Sequence, residues 1–232
     1  MQSAMGKQAE TVRERLPKSQ WSRWHWILGV IVLAGAVLVC APAIRGFALR
    51  AAGWALVFED TLEPADILVI AIDADGAGVL EAADLVHSGI AQRVAVFADP
   101  PDSVDREFLR RGIPYEDAAA RSTRQLRSLG VTDIEQIPKA VTGTEAEGDM
   151  LPVWCDHHRF HSVVVVTTPD HSRGLRRVLY RSMRGHLTRV TIRFARHSTF
   201  DPDRWWETRA GIRTEIIELQ KLLLDLVRHP IS

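Results

Sequence analysis

Four consecutive valines, Val163–Val166, run straight into Thr167-Thr168-Pro169-Asp170-His171-Ser172-Arg173-Gly174-Leu175-Arg176-Arg177. No other stretch limits the fold so tightly. A β-branched run without polar alternation fits a strand covered on both faces, the habit of a parallel sheet between helix layers. Thr168 or Asp170 is placed to cap the helix that follows. His171 then falls in its first turn, with Arg173, Arg176 and Arg177 just behind. Free backbone N–H groups, a positive helix end and nearby cations make such a turn a site for an anion.

The rest of residues 65–232 repeats this alternation. Ala65–Ile72 reads as the first strand, followed by the loop Asp73-Ala74-Asp75-Gly76-Ala77-Gly78. A helix over Val79–Ser88 ends at Gly89, and Val94–Phe97 is the second strand. Val131–Ile137 holds a weak strand. Thr142-Gly143-Thr144-Glu145-Ala146-Glu147 has the threonine and glutamate spacing of a helix start, with Met150, Val153 and Trp154 expected to face inward. Leu187–Phe194 alternates as an edge strand should. Asp201-Pro202-Asp203 is expected to start a final helix. There Trp205, Trp206, Ile212, Ile216, Leu219, Leu223 and Val227 recur at helical spacing. That spacing implies a helix packed on the sheet, with a partner- or membrane-facing helix as the alternative. The expectation is an α/β fold: a Rossmann-like, mostly parallel sheet flanked by helices, with ligand loops after Ile72, Phe97 and Val166.

Ahead of this domain, Trp26–Ile44 is an unbroken apolar run. As one helix it would span roughly 28 Å, close to the bilayer core. Lys7, Arg13, Arg15, Lys18 and Arg23 precede it, and only Arg45 and Arg50 follow closely. The positive-inside rule then gives a cytoplasmic tail over 1–25, a transmembrane helix over 26–44, a connector over 45–64 and an extracytoplasmic domain over 65–232. A cleaved signal peptide and a buried helix of a soluble protein are the rival readings of the run. The chain holds 29 Lys and Arg against 29 Asp and Glu, so nucleic acid is not an expected partner.

Ala65-Asp66-Ile67-Leu68-Val69-Ile70, Gly143-Thr144-Glu145-Ala146-Glu147 and Val165-Val166-Thr167-Thr168-Pro169-Asp170-His171 resemble motifs of the SanA/ElyC/YdcF-like family of bacterial envelope proteins. The resemblance covers roughly Leu56 to the last residue, and an anchor ahead of it fits. It implies a single-pass plasma-membrane protein acting in peptidoglycan or lipid-carrier metabolism. One branch of that family is associated with S-adenosylmethionine, and no cofactor is assigned to this chain. The sequence departs from the family where Gly174 stands for an Arg after the His, where Gly78 stands for a helix Arg, and where Ala98-Asp99-Pro100-Pro101 replaces a Ser-Gly-Gly-like turn.

Three functions are carried forward. In the first, the domain binds or processes a phosphate-bearing small molecule or lipid-linked intermediate. His171 and Glu147 are its catalytic pair, and Thr144, Thr168, Asp170, Arg173, Arg176 and Asp73 bind the ligand. In the second, the fold persists as a non-catalytic envelope protein. The third is a haloacid-dehalogenase-type phosphatase with Asp73 as nucleophile and Asp75 as acid/base. Cys155, His157, His158 and His161 have zinc-compatible spacing, but they stand before the valine strand rather than after it, and no metal is assigned.

Overall fold

The first, second and fourth strands form because their residues are buried on both faces: Ile67, Leu68, Val69, Val94, Ala95, Val163 and Val164 are all at most 1 % exposed. In the computed structural model, residues 18–138 and 141–230 are described, except for the side chains of residues 18–24, 37–40 and 42. Residues 1–17 of the expected cytoplasmic tail lie outside the described residues. Residues 18–48 and residues 49–230 fall in two separate compact units.

In the first unit the apolar run does not form one helix. Helix α1 spans Lys18–Cys40, and α2 begins at Pro42 and ends at Leu56. Proline has no N–H and disfavours a helical conformation in the residue before it, so the helix stops at Ala41. Ala41 then accepts from the Arg45 N–H at 3.0 Å and opens α2. The part of the run inside α1, Trp26–Cys40, is only about 22 Å long. Among the described residues, no helix is long and apolar enough to cross a membrane. The described apolar side chains of α1, including Trp26, Ile31 and Leu33, are exposed.

The second unit is a five-stranded sheet with helices. The strands are β1 (Ile67–Ile70), β2 (Arg93–Phe97), β3 (Asp133–Ile137), β4 (Ser162–Thr167) and β5 (Arg189–Phe194), in the order β3-β2-β1-β4-β5. Every pairing is parallel, with Leu68 opposite Val94 on one side and Val164 on the other. The crossover helices are α3 (Asp75–His87), α4 (Ser103–Arg110), α5 (Ala118–Ser128), α6 (Gly143–His158) and α7 (Pro169–Ser182), and α8 (Arg209–Arg228) closes the domain. Strand order reverses between β1 and β4, so the crevice beyond their C-terminal ends is where a doubly wound sheet takes its ligand.

Several local expectations change. Val153 is exposed, while Trp154 and Leu151 fill the inner face of α6. Pro152 lies within α6 and does not end it. Thr142 is the residue before α6, but its side chain makes no capping bond there. Asp201–Asp203 does not begin the last helix: a 3-10 turn at Trp205–Glu207 intervenes, and Thr208 caps α8 by accepting from Gly211 N at 2.9 Å. Gly211 is required at that junction, because a Cβ there would lie 2.2 Å from the Trp205 carbonyl oxygen. The face of α8 turned to the domain carries Gly211, Glu215 and Leu222, and of the apolar series read from the sequence Trp205 and Leu219 pack against the Leu56, Phe200 and Leu222 cluster. Ile216, Leu223 and Val227 are exposed.

Arg193 of the edge strand is buried, and it is neutralised by Glu81 of α3 (Nε–Oε1 2.7 Å) and by Glu59. The pair fixes α3 to β5 in a region where an unpaired charge would be costly.

Candidate functional site

His171 lies in the first turn of α7, at the end of β4, because Thr168 leaves the strand in an extended conformation and Pro169 starts the helix. Its ring is only 22 % exposed and is held by carboxylates from three elements. Nδ1 is 3.2 Å from Glu218 Oε2 on α8 and 3.5 Å from Asp73 Oδ2 after β1. Nε2 is 3.4 Å from Asp170 Oδ2. Burial alone would lower the imidazole pKa, but the bond to Glu218 and the charges of Asp73, Asp170 and Glu218 reverse this and push it up to about 9. The ring is therefore a cation at neutral pH.

Asp73 is oriented from β4: the Thr167 hydroxyl donates to Oδ2 at 3.2 Å and the Thr168 hydroxyl at 3.3 Å. Glu147, 3 % exposed on α6, accepts from the Ile72 N–H at 2.6 Å. Burial and the neighbouring Asp73 raise its pKa to about 7, against the pull of that N–H and of His171. Burial also raises Asp170. Burial works to raise Glu218 as well, but its bonds from His171 and Lys221 hold it below the ordinary carboxylate range. Glu215, one helical turn before Glu218, is fully buried, and neither of its carboxylate oxygens has a hydrogen-bond partner. Burial and then Asp170 push it up to about 7.

Asp73, Glu147, Asp170, His171 and Glu218 border a cavity of about 480 Å³ at the β1/β4 crevice. The first turn of α6 enters it through Gly143 and Thr144, and the first turn of α7 through Asp170 and His171. Two helix N-termini thus point their positive ends at one space. Leu56, Leu175, Val178 and Leu222 give it apolar lining as well. Lys221 and Arg228 stand on the α8 side. The geometry supports acid–base chemistry: a carboxyl group near neutrality and a histidinium share one partly enclosed cavity.

Of the residues singled out in the sequence, His171, Glu147, Thr144, Asp170 and Asp73 border this cavity, and Thr168 supports it through Asp73. Arg173 and Arg176 do not. Arg173 donates to the Val57 carbonyl at 2.7 Å, and Arg176 stacks on Phe58 at 4.1 Å beside Asp60. Successive helix positions turn by about 100°, so the arginines leave the face that His171 occupies. Asp75 borders a different cavity with Asp99, Asp105 and Tyr115, apart from the cavity that Asp73 borders.

Glu215, Glu218 and Lys221 were missed. The readable signal was the row Glu215, Glu218, Leu222, Asp225, which shares a helix face opposite Ile216, Leu223 and Val227.

Cys155 is buried and its thiol is pushed up to about 12 by burial. His158 Nδ1 lies 2.8 Å from the Trp154 carbonyl, and its ring stacks on Phe160. Among the described residues, no group of three or more His, Cys, Asp or Glu side chains is placed to hold a metal ion.

No family model, curated protein or solved structure matches the chain.

Proposed function

We propose that this is a membrane-anchored envelope protein whose α/β domain binds or processes a phosphate-bearing, lipid-linked intermediate in the crevice between β1 and β4. One observation carries the reading: a histidinium, two helix N-termini and several apolar side chains line a single cavity. Such a cavity suits a ligand with an anionic head and a hydrocarbon tail. His171 holds the head or donates a proton to a leaving oxygen. Glu147, with a pKa near 7, acts as base and takes the proton of a water that attacks the phosphorus as the leaving oxygen departs. Asp73, Asp170 and Glu218 keep the imidazole charged and fix its plane. Thr144 adds a hydroxyl at the α6 end.

The anchor is α1. Its described apolar side chains are exposed, the run continues in sequence through Val37–Cys40, and the cationic residues lie mainly ahead of it. This orientation puts the N-terminus in the cytoplasm and the domain outside.

The test uses the full chain in detergent with farnesyl phosphate and farnesol as probes. The expected result is thermal stabilisation by the phosphate ester, none by the alcohol, and loss of the effect in His171→Gln. An equal response to both probes, or an unchanged response in the variant, removes His171 from the role. The withdrawal of Arg173 and Arg176 favours a second reading, a non-catalytic envelope protein that keeps the pocket. Stabilisation that depends on His171, with no turnover of the bound ester, is the outcome that reading expects.

A further inference from the structure

We infer that the outer face of α8 rests on an anionic phospholipid surface. α8 has 20 residues and is about 30 Å long. Its charges are sorted by face. The carboxylates turn toward the domain: Glu215 is fully buried, Glu218 pairs with His171, and Asp225 pairs with Arg177 and Arg181. The outer face carries Ile216, Ile217, Leu223 and Val227, exposed by 50, 37, 60 and 79 %. Arg209 and Arg213 precede this apolar segment on the helix, both are exposed, and neither side chain makes a hydrogen bond or ion pair among the described residues.

A surface helix of a water-facing domain places its acids outward and its aliphatic residues inward. Here the order is reversed. An outer face of aliphatic side chains with two arginines at its N-terminal end, and with the helix's own acids withdrawn, is complementary to a bilayer of negative headgroups. The aliphatic groups would enter the acyl boundary, and the arginines would lie at the phosphate level with their stems on apolar surface. A second copy of the chain would meet the same unpaired arginines and offer no carboxylate from its own α8 face, so like charge would oppose that pairing.

The test is made on the full chain carrying Cys40→Ser and Gln220→Cys, labelled at residue 220 with an environment-sensitive fluorophore. Gln220 lies on the outer face, and Cys155 is buried. The protein is reconstituted in vesicles of phosphatidylcholine, with or without phosphatidylglycerol. Expected are a blue-shifted emission and several-fold weaker quenching by iodide when phosphatidylglycerol is present. Adding Arg209→Gln and Arg213→Gln should return quenching to the level seen in pure phosphatidylcholine. Near-UV circular dichroism checks that the domain stays folded. Iodide access that is high and equal in both vesicles overturns the inference. Protection that follows protein density and ignores lipid charge also overturns it, in favour of self-association. Neither outcome depends on a ligand in the cavity.

Discussion

Glu147→Gln should make the protein more stable above neutrality and leave it unchanged in acid. Glu147 is almost wholly buried, and its pKa is carried from its ordinary 4.5 to about 7. At about 1.4 kcal/mol per pH unit, that displacement corresponds to about 3 kcal/mol. The sign follows from proton counting. Between pH 4.5 and 7 the folded chain binds more protons at this site than the unfolded chain does, so stability falls as pH rises through that window. Above 7 the full cost is present. Glutamine cannot ionise, and its side-chain oxygen can still accept from the Ile72 N–H. At pH 8 the variant should be more stable by up to about 3 kcal/mol, an increase of about 6–12 °C in Tm for a domain of this size. At pH 4 the two curves should coincide. The assay is thermal unfolding of the full chain followed by near-UV circular dichroism from pH 4 to 8. Parallel curves, or a variant less stable than the parent at pH 8, would refute the reasoning.

His171 gives the complementary limb: its pKa is raised from 6.5 to about 9, so its stabilising contribution is complete below 6.5 and lost as pH rises through 9. His171→Gln should flatten that limb, and side-chain NMR of the parent should find an imidazole titrating near 9. Glu215→Gln should raise Tm at pH 8 and not at pH 4, because a fully buried carboxylate without partners is relieved; a drop in Tm at pH 8 would contradict this. Gly148→Ala should cost about 1–3 kcal/mol by urea unfolding, since a Cβ would lie 2.5 Å from Val178 Cγ1 and force α6 from α7. Arg193→Met should cost about 3–5 kcal/mol by stranding Glu81, and adding Glu81→Leu should recover much of the loss.

The central strands could be read directly because both faces of β1, β2 and β4 are buried, leaving runs of valine, isoleucine and leucine that need no periodicity to interpret. His171 was legible for the same reason: it lies where a strand must hand over to a helix. Glu147 was found through a capping pattern, yet its carboxylate binds Ile72 N across the sheet rather than its own helix start. The arginines were misplaced because residue spacing alone does not reveal Phe58 and Asp60, which come from the connector and draw Arg176 away. Glu218 could not be tied to His171 from sequence, since nothing local links α7 to α8. On α8 itself Leu219 packs inward with Trp205 as the spacing implied, while Ile216, Leu223 and Val227 of the same series are exposed. The apolar rule assumes water on the outside, and here the inner side meets a charged cavity instead.

The sheet also dictates an order of assembly. β1 is bonded to β2 on one side and to β4 on the other, and the Asp66 carboxylate accepts from Ser162 N, 96 residues further on, at 2.9 Å. During synthesis the β1–β2–β3 half can gather while one flank of β1 stays bare, until the valine strand leaves the ribosome. Bringing distant ends together costs only slowly more as the intervening chain lengthens, but the delay leaves a sticky apolar border open to other nascent chains. The crevice that holds His171 is completed by that same late seam, so the site cannot exist before the sheet is whole.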